Sequence, residues 1–236
     1  MSSRLIVALD FPSKKETLAF VSQLSPSDCK LKVGLELFVS AGADIVHLLT
    51  EAGFDIFLDL KFHDIPNTVA SACKAAAALN VWMMNVHASG GLEMMQAASN
   101  VLQNETHHFS QSPKLIAVSV LTSMSDAQLQ QTGVNAVAKE QVAHLAYLAK
   151  KAGLDGMVCS AQEATLLRQR LGDDFLLVTP GIRPLGSAKG DQSRVMTPAA
   201  AISAGADYLV IGRPITQAEN PLKLIKQINS EIASIL

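Results

Sequence analysis

The stretch from Asp59 to Thr68 reads Asp-Leu-Lys-Phe-His-Asp-Ile-Pro-Asn-Thr and sets Asp59, Lys61 and Asp64 at the end of an apolar run. Side chains two apart in an extended strand share a face, so alternation predicts Asp59 and Lys61 side by side. If that face points into a confined site, acid and base shift each other's ionisation, and an ammonium can be held ready as a proton donor. Lys32, late in a preceding apolar run, adds a second cation. The same spacing also suits an ordinary strand-end ion pair, with Asp64 capping a helix that starts near Pro66. Spacing alone does not choose between these readings.

A second constellation lies towards the end of the chain. Thr179-Pro180-Gly181-Ile182-Arg183-Pro184 leads into a stretch rich in Gly, Ser and Lys through Arg194, and Ile211-Gly212-Arg213-Pro214 follows. Glycine exposes backbone N–H groups and arginine supplies a charged fork, which together make a phosphate grip. Plain turn chemistry uses the same residue types. Asp10, His87 and Thr122 also stand at or just beyond the ends of apolar runs. A histidine in such a place is more often a satisfied core group than a catalyst, and no proton-transfer role is assigned to His87.

These residues need a frame. Short runs rich in Val, Ile and Leu recur at Leu5–Leu9, Cys29–Gly34, Asp55–Leu60, Trp82–Val86, Leu115–Leu121, Gly156–Cys159, Leu176–Val178 and Tyr208–Ile211. Near-continuous hydrophobicity marks strands covered on both faces. Between them, Lys14–Leu24, Val69–Leu79, Gly91–Leu102, Lys139–Ala152, Ala161–Arg170 and Pro198–Ala204 carry Ala, Leu, Glu or Lys at helical spacing. Ala52-Gly53-Phe54-Asp55, Ala152-Gly153-Leu154-Asp155 and Ala204-Gly205-Ala206-Asp207 form a small repeat, each copy between a helix and a strand. Eight strand–helix units without a linker predict a closed (β/α)8 barrel, with an open doubly wound sheet as the alternative. In a barrel, chemistry gathers where strands end, which is where the residues above stand.

Length and composition agree. The chain has 236 residues, of which 49% are hydrophobic and 17% charged, enough to bury a large core. A barrel typically needs about 250 residues. A formal net charge of −2 gives no general attraction to nucleic acid or to an anionic membrane, so an anionic ligand must be held locally. Cys29, Cys73 and Cys159 are odd in number and far apart, which argues against a disulfide framework and for a reducing cytoplasm. Neither a signal peptide nor a membrane-spanning run is read, so a soluble cytoplasmic protein is expected.

Taken in order, Ala8-Leu9-Asp10, Lys32-Val33-Gly34, the Asp59–Thr68 stretch, Val86-His87-Ala88, Leu121-Thr122-Ser123, the Pro180–Pro184 stretch and Gly212-Arg213-Pro214 resemble the orotidine 5′-phosphate decarboxylase family in its bacterial form. The resemblance implies one barrel domain over residues 1–236. It implies conversion of orotidine monophosphate to uridine monophosphate and carbon dioxide in de novo pyrimidine biosynthesis, with no cofactor and no metal. Lys61 would deliver a proton to the ring carbon that loses its carboxylate, and Asp59 would lie beside that carboxylate. Lys32, Asp59, Lys61 and Asp64 would form an alternating charge array. Asp64, Ile65 and Thr68 would reach into the partner's site in a homodimer. Asp10 would contact the ribose, Thr122 and Pro180 would border the pyrimidine, and Gln192 would bridge base and phosphate. Gly212, Arg213 and Arg183 would bind the phosphate as the loop from Arg183 to Arg194 closes. The keto-gulonate phosphate decarboxylases and hexulose phosphate synthases share an Asp-x-Lys-x-x-Asp strand but use magnesium, and Lys32 beside Asp59 would repel that metal. A catalytically silent nucleotide-binding barrel is a third reading, and the retained charges argue against it.

Overall fold

The computed structural model describes residues 3–104, 112–184 and 195–235. Strand and helix alternate: β1 (Leu5–Ala8), α1 (Lys14–Val21), β2 (Lys30–Gly34), α2 (Leu35–Ala41), α3 (Asp44–Glu51), β3 (Ile56–Phe62), α4 (Pro66–Ala77) and β4 (Met83–His87). A 3-10 turn at Ala88–Gly90 leads to α5 (Leu92–Asn104), β5 (Lys114–Val118), α6 (Asp126–Gln131), α7 (Ala138–Lys151), β6 (Gly156–Val158) and α8 (Ala161–Leu171). The chain continues through β7 (Leu176–Thr179), α9 (Pro198–Ser203), β8 (Tyr208–Ile211), α10 (Arg213–Thr216) and α11 (Pro221–Ala233).

Every strand pairs in parallel with the next, and β8 returns to β1 with Val7 opposite Ile211. The eight strands therefore close into a (β/α)8 barrel, and the open alternative is not formed. Two apolar layers hold it. Inside the ring, Ile6, Phe57, Met83, Ile116 and Val178 are buried together. Outside it, the other strand faces meet the helices around Leu31, Ile56, Met84, Leu209 and Ile211. Gly156 is needed where β6 meets β7, since a Cβ there would lie 2.4 Å from the Leu176 carbonyl oxygen. Helix starts follow from sequence: Ser125 and Ser160 form reciprocal capping boxes with Gln128 and Glu163, and proline opens α4, α9 and α11.

All eight apolar runs are strands, with ends shifted by a residue or two in most. The largest difference is β5, which stops at Val118 rather than Leu121, because the chain turns there with the Met124 N–H bonded to the Leu121 carbonyl. Helices α2, α3, α6, α10 and α11 lie outside the helical runs read from the sequence. Among the described residues no helix is long and apolar enough to cross a membrane.

Candidate active site

The site begins as an irregularity in β3. Its register with β4 runs Phe57 to Met83 and Leu58 to Met84, then resumes at Phe62 opposite Val86. Asp59, Leu60 and Lys61 thus stand across from Asn85 alone, a bulge at the carboxyl end of the strand. Within it Lys61 has φ 54°, the left-handed region that non-glycine residues seldom adopt. Simple alternation therefore does not set the direction of Lys61, yet the bulge still returns its side chain to Asp59. The Lys61 Nζ lies 2.7 Å from Asp59 Oδ1.

From that pair a line of alternating charge extends across the barrel mouth. The Lys32 ammonium, on β2, is 3.3 Å from Asp59 Oδ2 and 3.3 Å from Asp10 Oδ1 just beyond β1. The order is Asp10, Lys32, Asp59, Lys61. The Lys32 and Asp59 side chains are 10% and 13% exposed, against 29% for Lys61 and 59% for Asp10, so the two ends of the line face solvent. Burial opposes the Lys32 charge, but Asp59 first and Asp10 second more than compensate, and its pKa rises above the usual lysine range. Lys32 is a fixed cation. Gly34 leaves room for it, since a Cβ there would come within 2.9 Å of the Lys32 Nζ.

Asn85 was not picked out among the site residues by sequence reasoning. It is fully buried, donates from Nδ2 to Asp59 Oδ1 at 2.6 Å and accepts the Lys61 N–H on Oδ1 at 2.8 Å. Its only sequence signal is a carboxamide inside the apolar run Met83-Met84-Asn85-Val86.

Asp64, Ile65 and Thr68 are exposed, and Ile65 is 67% accessible. The Asp64 carboxylate accepts the Ile65 N–H at 2.6 Å and makes no ion pair with Lys32 or Lys61 of its own chain. It does not cap α4, whose N-cap is Ile65 with no side-chain bond. Within one chain, then, Asp10, Lys32, Asp59 and Lys61 are linked in line, with Asp64 apart.

The remaining candidates ring the same end of the barrel. Thr122 lies in the turn after β5, and Pro180 directly follows β7; both are half-buried. Arg183 is fixed by its backbone, its N–H bonded to the Met196 carbonyl at 2.9 Å. Burial, then the positive charge of Arg213, lowers the Arg183 pKa. Gly212 leads into α10 beside Asp10, where a Cβ would sit 3.4 Å from Asp10 Oδ2. Gln192 and most of the 183–194 loop lie outside the described residues. His87 ends β4, bonds Ser89 Oγ through Nδ1 at 3.2 Å and stacks on His63 with ring centroids 5.6 Å apart. Among the described residues no group of three or more His, Cys, Asp or Glu is arranged to hold a metal ion.

Residues 3–228 match the profile of the Orotidine 5′-phosphate decarboxylase / HUMPS family. The chain is 58% identical over 235 residues to the orotidine 5′-phosphate decarboxylase of Actinobacillus succinogenes, with all of both chains covered. It is 56% identical over 233 residues to that of Nitrosococcus oceani, covering 99% of each. Among solved structures, the orotidine 5′-phosphate decarboxylase of Lactobacillus acidophilus superposes with a TM-score of 0.87 at 43% identity, covering 97% of this chain and 98% of that one.

Proposed function

The chain belongs to the Orotidine 5′-phosphate decarboxylase / HUMPS family and is a carboxy-lyase, and from that premise we propose that it decarboxylates orotidine monophosphate to uridine monophosphate through its own charged side chains. The observation that carries this reading is the buried Asp59 carboxylate, held between the Lys61 and Lys32 ammoniums at the barrel mouth.

Loss of carbon dioxide leaves an electron pair on a pyrimidine ring carbon, and the ring offers no pyridoxal-like sink for it. Enzymes lower barriers by about 8–23 kcal/mol, and a decarboxylation of this kind calls for the upper part of that range. Preorganised cations in a water-poor site stabilise such charge without reorganising. Lys61, the more accessible of the two lysines, donates the proton to that carbon. Lys32 keeps the site positive, and Asp59 fixes the Lys61 ammonium and lies against the departing carboxylate. Asp10 faces the ribose, and Thr122 and Pro180 border the base. A phosphate dianion bound by Arg183 and Arg213 would offset the positive charge that each places on the other, with Gly212 admitting it closely and Gln192 joining from the Arg183–Arg194 loop expected from the sequence. Closure of that loop on the phosphate would link remote binding to chemistry.

Asp64, Ile65 and Thr68 serve the partner's site in a homodimer. Their exposure supports this, as do the exposed Leu35 and Val39 on α2, which follows the neighbouring strand at the same end of the barrel. Residues 1–236 act as one domain. All three cysteines are buried, and burial pushes the Cys29 and Cys73 thiols up to about 12, which suits a cytoplasmic protein without disulfides.

A direct assay tests the proposal. Purified protein should bleach the near-ultraviolet absorbance of orotidine monophosphate, and the rate should survive EDTA and gain nothing from magnesium. The Lys32 ammonium bridges the two carboxylates that a divalent cation would need. No bleaching would remove the substrate assignment. Bleaching lost on chelation and restored by magnesium would remove the metal-free mechanism.

A further inference from the structure

Three residues of β3 face one residue of β4 at the bulge, which costs β3 part of its ladder hydrogen bonding. A buried backbone N–H left without an acceptor is destabilising by about 1–3 kcal/mol, and a left-handed non-glycine residue is strained by a similar amount. The strain falls on Lys61, and the acceptor for its N–H is a side chain, Asn85 Oδ1, rather than the ladder. Such a conformation persists only where its surroundings over-determine it.

The Asn85 carboxamide supplies the missing constraint. Its orientation is dictated by chemistry, because the Lys61 N–H can only donate and the Asp59 carboxylate, when ionised, can only accept. The carbonyl must face Lys61 and the amino group must face Asp59, as the 2.8 Å and 2.6 Å contacts require. Asp59 Oδ1 thereby takes two donors, the Asn85 amide and the Lys61 ammonium. One buried side chain ties the backbone of the lysine to the carboxylate that holds the same lysine's far end. The loop of contacts runs from the Lys61 amide through Asn85 and Asp59 back to the Lys61 Nζ.

We infer that Asn85 is a positioning residue for decarboxylation, holding Lys61 in its left-handed backbone conformation and Asp59 in the orientation that receives its ammonium. This rests on the roles proposed above for Lys61 and Asp59. Asn85 is fully buried and acts through Lys61 and Asp59. Without it the Lys61 backbone relaxes towards extended geometry, its side chain swings away from Asp59, and the carboxylate is free to rotate.

Steady-state kinetics of Asn85→Ala and Asn85→Asp test the inference, with Asp59→Asn and the Asp59→Asn/Asn85→Ala double variant completing a cycle. A misplacement of about 1 Å at a reacting group lowers rate by about a hundredfold, and a fall of that order in kcat is expected for Asn85→Ala. KM should change far less, since Asn85 bonds neither the ribose nor the phosphate residues. Asn85→Asp keeps the size and the acceptor for the Lys61 N–H but sets a second carboxylate against Asp59, so it should lose kcat as well. In the Asp59→Asn background the Asn85→Ala change should have little further effect. A packing role would instead make the two losses multiply, and that result overturns the inference. So does a folded Asn85→Ala enzyme with wild-type kcat. Should the alanine chain not fold, Asn85→Asp takes its place in the cycle. A crystal structure of the variant supplies a readout independent of turnover: Lys61 remaining at positive φ with its ammonium on Asp59 would also overturn the inference. If the wild-type protein itself proves inactive on orotidine monophosphate, the substrate assignment fails, while the structural arm still decides whether Asn85 sets this geometry.

Discussion

An imidazole stacked on a second imidazole and facing an ammonium binds its proton weakly. His87 is in that position: burial first, then His63 and Lys61, lower its pKa below the ordinary value of about 6.5. In the unfolded chain it titrates normally. As pH falls through about 6.5 the unfolded state therefore takes up a proton that the folded state resists, and stability falls until the folded His87 also protonates. Replacing His87 by Gln should flatten this acid-side loss, measured as the change in Tm between about pH 7.5 and pH 5.5. An unchanged slope would mean that His87 does not drive it. At this scale much of the site was legible from residue type, since a carboxylate and two lysines gathered at strand ends invite a chemical reading. Asn85 was not, because its role depends on the register slip that sets it against three residues of β3. The sequence carries no mark of that slip.

Among the elements, the Ala-Gly-x-Asp repeat acquires a mechanical meaning. Gly53, Gly153 and Gly205 all adopt positive φ as the preceding helix ends. The aspartate two residues later then works at the amino-terminal end of the barrel. Asp155 Oδ2 accepts the Leu115 N–H at 2.7 Å, and Asp207 Oδ2 accepts the Leu177 N–H at 2.8 Å, each capping a neighbouring strand. Asp207 also holds Arg168 at 2.6 Å, whose guanidinium gathers the carbonyls of Gly172, Phe175 and Gly205. The third copy differs, because Asp55 pairs with the buried Lys30, which lies 4.5 Å from the Trp82 ring. Asp207→Ala should destabilise the fold by about 1–3 kcal/mol, more than Asp155→Ala, whose carboxylate is exposed. Denaturant melts would measure both, and kcat should stay unchanged because this face is opposite the charge array. Strands and the longer helices were legible because burial on both faces writes continuous apolar runs. Helix α2 was not: it starts at Leu35 directly after β2, with Gly34 as its N-cap, so its Leu-Glu-Leu-Phe-Val pattern reads as more strand. Buried Ile225, Ile228 and Ile232 give α11 a helical stripe in the position of the eighth unit's helix, but the short α10 stands between it and β8, so the helix does not follow its strand directly.

For the whole molecule, the test is whether one chain suffices. Lys61 and Asp64 are three residues apart, yet Lys61 joins the array while the exposed Asp64 carboxylate accepts the Ile65 N–H instead. If Asp64 completes the partner's site, inactive Lys61→Ala and Asp64→Ala chains should recover activity on mixing. Random reassociation makes about half the dimers mixed, each with one site carrying both residues, so roughly a quarter of all sites should work. Mixed dimers confirmed by differential tags but still inactive would show that each chain serves its own site. No pattern of periodicity or charge reveals this sharing; only the resemblance suggested it. The ring itself carries another consequence. With β8 closed on β1, every barrel strand has two neighbours, and among the described residues the barrel offers no β-edge for another chain to extend. Parting the ring between two strands bares two sticky edges together, so a ligand that bridges strands across the mouth should slow aggregation on storage as well as serve as a substrate, which light scattering of the protein with and without ligand would measure.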